Sequence, residues 1–179
     1  MIKAVQSRQS IRKYLNRPVD DSIVLSLLES ARFAPSGSNT QPWHFIIIRD
    51  ESVKHELAKA SHNQQWMMSA PVFIACVADI RSRIVPGVDV ELDENSPQSE
   101  LKQIIRDTSI AIEHIVLEAT DIGLGTCWVA WFVQNEIRPI LGLLKDKYLV
   151  SILTVGYPAE KPQPRKRKAL AEIVHYERW

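Results

Sequence analysis

Two clusters of arginine stand at opposite ends of this 179-residue chain, and both are of a type that can hold an anion. The first is Arg8-Gln9-Ser10-Ile11-Arg12, which sets a serine hydroxyl between two arginines four apart. The second is Arg165-Lys166-Arg167-Lys168, whose two arginines project to one face of an extended segment. A guanidinium fork matches phosphate oxygens in bidentate geometry, so two such clusters could clamp one phosphate dianion if the termini meet. Taken singly, either cluster reads more readily as solvated surface. The basic tail could also meet nucleic acid, but it lacks interleaved aromatics and the formal net charge is only +1.

A third feature is the loop Pro35-Ser36-Gly37-Ser38-Asn39-Thr40-Gln41-Pro42, followed by Trp43. Small polar groups held between two prolines offer donors and acceptors from a stiff frame. That suits a flat heteroaromatic ring with polar edges, and it equally suits a plain helix-to-strand connection.

Other chemistries are poorly supplied. His44, His55, His62, His114 and His175 include no i,i+4 pair and no cysteine cluster, so no metal site is expected. There is no Gly-x-Ser-x-Gly elbow and no Walker A loop. Gly123-Leu124-Gly125 lacks the third glycine of a dinucleotide fingerprint and follows a helix where it should precede one.

The elements that must position these residues are readable from periodicity. A short helix ends near Arg8. A second helix starts at Asp20 or Asp21, carries Ile23, Val24, Leu27, Leu28, Ala31 and Ala34 on one face, and stops before Pro35. Trp43 to Ile48 predicts a buried strand, Glu51 to Ala60 a helix, and Val72 to Ala78 a second strand. Residues 81–97 read as a surface excursion and a lid candidate. Leu101 to Ile122 is the strongest helix, apolar on more than one face, so it is buried centrally or against a second subunit. Thr126 to Phe132 and Leu149 to Val155 predict strands, with a short helix from Asn135 to Leu143 between them. This order indicates α+β, or α/β with mixed pairing.

Composition fits that outline. Hydrophobic residues at 45% and charged residues at 24% place the chain among globular proteins of one domain, residues 1–179. Cys76 and Cys127 lie inside apolar runs, as buried reduced thiols of a cytoplasmic protein would. No apolar run reaches the ~20 residues of a membrane helix, and the first eight residues predict no signal peptide.

Four segments together resemble the nitroreductase family of FMN flavoproteins, in order and spacing. They are Arg8-Gln9-Ser10-Ile11-Arg12-Lys13-Tyr14, the loop Ala34 to Trp43, Gly123-Leu124-Gly125-Thr126-Cys127-Trp128, and the basic stretch Arg165 to Val174. The loop is the most specific of the four. The resemblance implies an α+β fold with a central mixed, mainly antiparallel sheet flanked by helices, in a domain-swapped homodimer.

The resemblance also implies roles. Arg8 and Ser10, with Arg165 and Arg167, would hold the FMN phosphate, so residues 159–179 would complete the site. Arg12 would reach the ribityl chain and the N1/O2 edge, where a cation stabilises the charge left by reduction. Pro35, Ser36, Gly37 and Asn39 would contact the flavin of the other subunit. The backbone at Trp128, Val129 and Ala130 would lie near N5, and Gln65 near the pyrimidine ring. NAD(P)H would be the co-substrate and a nitroaromatic, quinone or similar small molecule the acceptor, in a ping-pong reaction with no catalytic side chain. The other reading is a flavin-sequestering protein without turnover.

Overall fold

The computed structural model describes residues 1–179. The run Val72-Phe73-Ile74-Ala75-Cys76-Val77-Ala78 is apolar on both faces, which suits a strand at the centre of a sheet covered on both sides. It forms β2 (Val72–Asp79), buried throughout except at Asp79. β2 pairs with β1 (Trp43–Ile48) on one side and with β4 (Lys147–Gly156) on the other, and β3 (Gly125–Val129) pairs with β4 to complete the order β1-β2-β4-β3. All three pairings are antiparallel. The expected mixed pairing reduces to one parallel bridge, Ser10 to Thr126 at the β3 edge.

β1 departs from the expected buried strand. Trp43 and Ile48 are buried, but His44 and Ile47 face outward, because β1 is an edge. A β-branched run signals a strand without saying whether it has one neighbour or two.

Two cores sandwich the sheet. On one face α4 (Ser99–Asp121) packs on α2 (Asp21–Arg32) and touches all four strands. Ile104, Ile112 and Ile115 of α4 meet Val24 and Leu27 of α2 and Ile74 of β2 there. Ile110 of α4 stays 40% exposed, so one chain does not bury every apolar side of this helix. On the other face α3 (Glu51–Ala60) and α5 (Gln134–Ile137) cover Phe73, Val77 and Ile152.

Helix ends follow local chemistry. Asp50 caps α3 by accepting from the Val53 amide at 3.0 Å. Asp20 occupies the N-cap of α2 without a side-chain bond, while Asp21 pairs with Arg49 at 2.7 Å. Gly123 takes φ +83° just after α4, a left-handed stop that glycine adopts at no steric cost. The helix expected over 135–143 is broken into α5 and a 3-10 turn, Pro139–Leu141, because Pro139 has no N–H to donate. Residues 81–97 are irregular but tied down. Val90 and Leu92 are buried, the Leu92 amide donates to Lys145 O, and Arg81 pairs with Asp146 at 2.6 Å.

Candidate anion and cofactor site

The two ends of the chain are laced together beside β3 and β4. The Leu15 amide donates to Tyr157 O, and the Ala159 amide donates to Lys13 O, both at 2.9 Å. The Glu160 carboxylate accepts from the Arg12 amide at 2.6 Å and from the Lys13 amide at 3.1 Å. The Ile11 amide donates to Thr126 O, which lays residues 10–12 along β3. Tyr14 anchors the turn from below. Its hydroxyl donates to Ile11 O at 2.6 Å and lies 2.7 Å from Thr154 Oγ1. Burial pushes its phenol well above the ordinary tyrosine range, against the opposing pull of the Thr154 hydrogen bond.

This lacing leaves a recess of about 350 Å³ lined by Arg8, Gln9, Ser10, Arg12, Glu160, Pro162, Gln163, Arg165 and Arg167. Four guanidinium groups there face one carboxylate. A concave site of one charge sign concentrates its field on an anion. The five residues expected from sequence to meet an anion, Arg8, Ser10, Arg12, Arg165 and Arg167, therefore line one recess although they come from opposite ends of the chain. Glu160, Pro162 and Gln163 join them unannounced. The alternation of prolines at 158, 162 and 164 is the one sequence signal that this segment runs extended into the site.

Cys127 lies beneath the recess, almost fully buried. Burial raises its pKa, and the Arg12 charge and the Ser10 hydroxyl oppose that shift. Burial pushes the Cys76 thiol up to about 12. Neither thiol has the depressed pKa of a nucleophile.

The remaining sequence-derived residues divide into two groups. The Arg12 guanidinium carbon lies 5.6 Å from the Trp66 ring centre, while Gln65, Trp128, Val129 and Ala130 are not among the residues lining the recess. Gln65 Nε2 donates to Asn63 Oδ1 at 2.6 Å. At the end of β3, Trp128 is 38% exposed, Val129 is buried and Ala130 is exposed. Just beyond, Trp131 stacks on His62 with ring centres 3.9 Å apart.

Pro35, Ser36, Gly37 and Asn39 form the second group, and none of them lines the arginine recess. Their loop is a 3-10 turn, Gly37–Asn39, in which Ser38 and Asn39 take left-handed φ of 54°, followed by Gln41 at 46°. Ser36 Oγ accepts from the Gln41 amide at 2.9 Å and closes the turn. Such backbone persists only where surroundings over-determine it.

The sequence pattern of the nitroreductase family matches residues 5–157. The chain belongs to the nitroreductase family. Among its nitroreductase relatives is an NADH dehydrogenase of Thermus thermophilus, 30% identical over 96% of this chain and 93% of that one. An FMN reductase [NAD(P)H] of Bacillus subtilis is 26% identical over 99% of this chain and 73% of its own length. A nitroreductase family protein of Clostridium difficile 630 superposes with TM-score 0.81 at 31% identity, covering 100% of this chain and 99% of that one. The family match ends at residue 157, short of Glu160, Arg165 and Arg167, so that half of the recess rests on its geometry.

Proposed function

We propose that this nitroreductase is an FMN-dependent oxidoreductase that takes hydride from NAD(P)H and reduces a small acceptor, a nitroaromatic or quinone, by a ping-pong mechanism. The observation that carries the reading is the arginine recess assembled from both ends of the chain. Its donor set fits FMN. Guanidinium forks and a serine hydroxyl match a phosphate dianion, and apart from Pro162 the recess is lined by polar or charged side chains. The Bacillus relative's name, FMN reductase [NAD(P)H], points to the same cofactor and co-substrate.

FMN, held by these residues, would supply the hydride-transfer chemistry between NAD(P)H and the acceptor. The chain's own residues bind and orient. Arg8, Ser10, Arg165 and Arg167 hold the phosphate. Arg12 keeps a permanent cation toward the ring, preplaced for the negative charge that reduction brings. Gln65 contributes an amide at the pyrimidine side, and the backbone of Trp128, Val129 and Ala130 offers main-chain groups to the reactive edge. No side chain acts as acid or base.

The site is shared between two subunits of a homodimer. Pro35, Ser36, Gly37 and Asn39 lie off the recess of their own chain and serve that of the partner. The C-terminal segment supports an exchange between subunits. Leu170, Ile173, Val174, Tyr176 and Trp179 are 43–102% exposed on one chain, an apolar stretch that a second copy would cover. The two unpaired cysteines suit a reducing compartment, the cytoplasm. No helix is long and apolar enough to cross a membrane.

One spectrum tests the core of this reading. Purified protein should show flavin absorbance, or acquire it on incubation with FMN, and should be bleached anaerobically by NADH or NADPH. Protein that stays colourless after FMN would overturn the proposal. Bound flavin without NAD(P)H turnover on menadione or nitrofurazone would favour sequestration. Sedimentation at equilibrium should return twice the chain mass.

A further inference from the structure

Three separate elements meet at Gly37. The Gly37 amide donates to Asp107 Oδ2 of α4 at 3.2 Å. Arg83, from the segment after β2, donates through Nη2 to Gly37 O at 3.2 Å and to Asp107 Oδ2 at 2.9 Å. Both polar groups of Gly37's backbone are thus held by one ion pair, whose side chains are only 16% and 12% exposed. A Cβ at Gly37 would lie 2.6 Å from Arg83 Nη2 and would displace that guanidinium. Immediately beyond come the left-handed residues Ser38, Asn39 and Gln41.

A buried ion pair is a poor source of stability, because desolvation offsets the attraction. What this pair does provide is position. Its geometry fixes one peptide at the entrance to a run of strained backbone.

We propose that Arg83 and Asp107 are positioning residues that hold the Pro35–Asn39 loop in the shape that completes the partner subunit's flavin site. The proposal rests on the flavin reading above. Neither residue lines the arginine recess, so both act through Gly37. A side chain at residue 37 would push the Arg83 guanidinium aside, so glycine there is what lets the pair sit against the peptide.

The test uses Arg83→Gln, Asp107→Asn, Arg83→Lys and Arg81→Gln in the intact protein. Arg81→Gln breaks a different ion pair of the same segment, with Asp146. The readouts are the FMN dissociation constant by fluorescence quenching, the visible circular dichroism of bound flavin, and the melting temperature. Arg83→Gln and Asp107→Asn should weaken FMN by about tenfold or more and alter the flavin dichroism, since each leaves a buried polar partner unmatched. Arg83→Lys keeps a charge against Asp107 but loses the fork, and should fall between them and wild type. Arg81→Gln should lower the melting temperature while leaving FMN affinity within about twofold, because Arg81 bonds Asp146, Val85 O and Val88 O and shares no partner with Arg83, Gly37 or Asp107. Unchanged FMN affinity in Arg83→Lys and Arg83→Gln would overturn the proposal. So would equal weakening in Arg81→Gln. Wild-type protein that binds no FMN would overturn the flavin reading and this proposal together, whereas wild-type binding with insensitive Arg83 variants removes only the latter.

Discussion

Ile11 occupies the space that any side chain at residue 125 would need. A Cβ on Gly125 would lie 2.6 Å from Ile11 Cγ1 and 2.8 Å from Ile11 Cβ. Ile11 sits between Ser10 and Arg12, so this close approach is what presses the anion-binding segment onto β3. Gly125→Ala should destabilise the fold by about 1–3 kcal/mol through overpacking. At roughly 2–4 °C per kcal/mol for a domain of this size, the loss is visible in a melting curve. FMN binding should weaken in the same variant, because Ser10 and Arg12 must shift with Ile11. A melting temperature equal to wild type would show that the contact relaxes freely.

Glu160 places a negative charge in a recess that is otherwise cationic, which is costly beside a phosphate unless the carboxylate has another task. That task is to accept from the Arg12 and Lys13 amides. Glu160→Ala should therefore weaken FMN by roughly tenfold, the cost of one to two lost hydrogen bonds of ~1 kcal/mol each. Glu160→Gln keeps an acceptor and removes the repulsion, so its affinity should equal or exceed that of wild type. Titration of flavin fluorescence separates the two, and a loss in both variants would mean that the charge itself is needed.

Arg165 and Arg167 bear on the phosphate alone in the proposed site. Arg165→Ala and Arg167→Ala should each lower FMN affinity by about 1.5–3 kcal/mol, the scale of a charge-assisted hydrogen bond. Riboflavin, which lacks the phosphate, should bind wild type and both variants alike. Parallel titrations with the two ligands measure this directly. Equal losses for riboflavin would assign the arginines to folding and not to phosphate.

The alkaline limb of stability should follow Tyr14 and Cys76. Both are held protonated by burial, so their folded pKa values exceed the unfolded ones. A raised folded pKa leaves stability intact below the unfolded pKa and removes it as pH rises beyond. For Cys76 the decline spans from ~8.5, the free-thiol value, to about 12. For Tyr14 it begins near ~10, the free-phenol value. Tyr14→Phe should cost about 1–2 kcal/mol at neutral pH through its lost hydrogen bonds. Above about pH 10 the variant should lose less stability than wild type, that being where the free phenol ionises. Denaturant melts across that range check the crossover. A thiol reagent at pH 8 should label neither cysteine until the protein unfolds.

Local pattern carried much of this structure. The apolar spacing of α2 and α4 and the β-branched runs of β1, β2 and β4 are visible in the chain, since each depends on neighbours within a few residues. The convergence of Arg8 and Arg12 with Arg165 and Arg167 was readable only as a pairing of like chemistries, because no periodicity links residues so far apart. Glu160 was not readable at all. Its role is to accept backbone N–H groups, and any carboxylate could be drafted for that. Arg83 and Asp107 were hidden for the same reason, as each looks like an ordinary surface charge until the fold brings Gly37 between them. The edge position of β1 and the break before Pro139–Leu141 were lost differently. Strand order is a tertiary fact, and a proline shifts a boundary by an amount that propensity does not specify.

The lacing of the chain ends has a consequence for biosynthesis. Arg12 and Glu160, 148 residues apart, must be brought together before the recess exists. Closing so long a loop is an entropic cost met only after the sheet between them has formed. If the recess holds the cofactor as proposed, a nascent chain offers no place for it until Arg165 and Arg167 have been made. Cofactor uptake would then follow the joining of the two segments, and free FMN would deepen the native state by mass action.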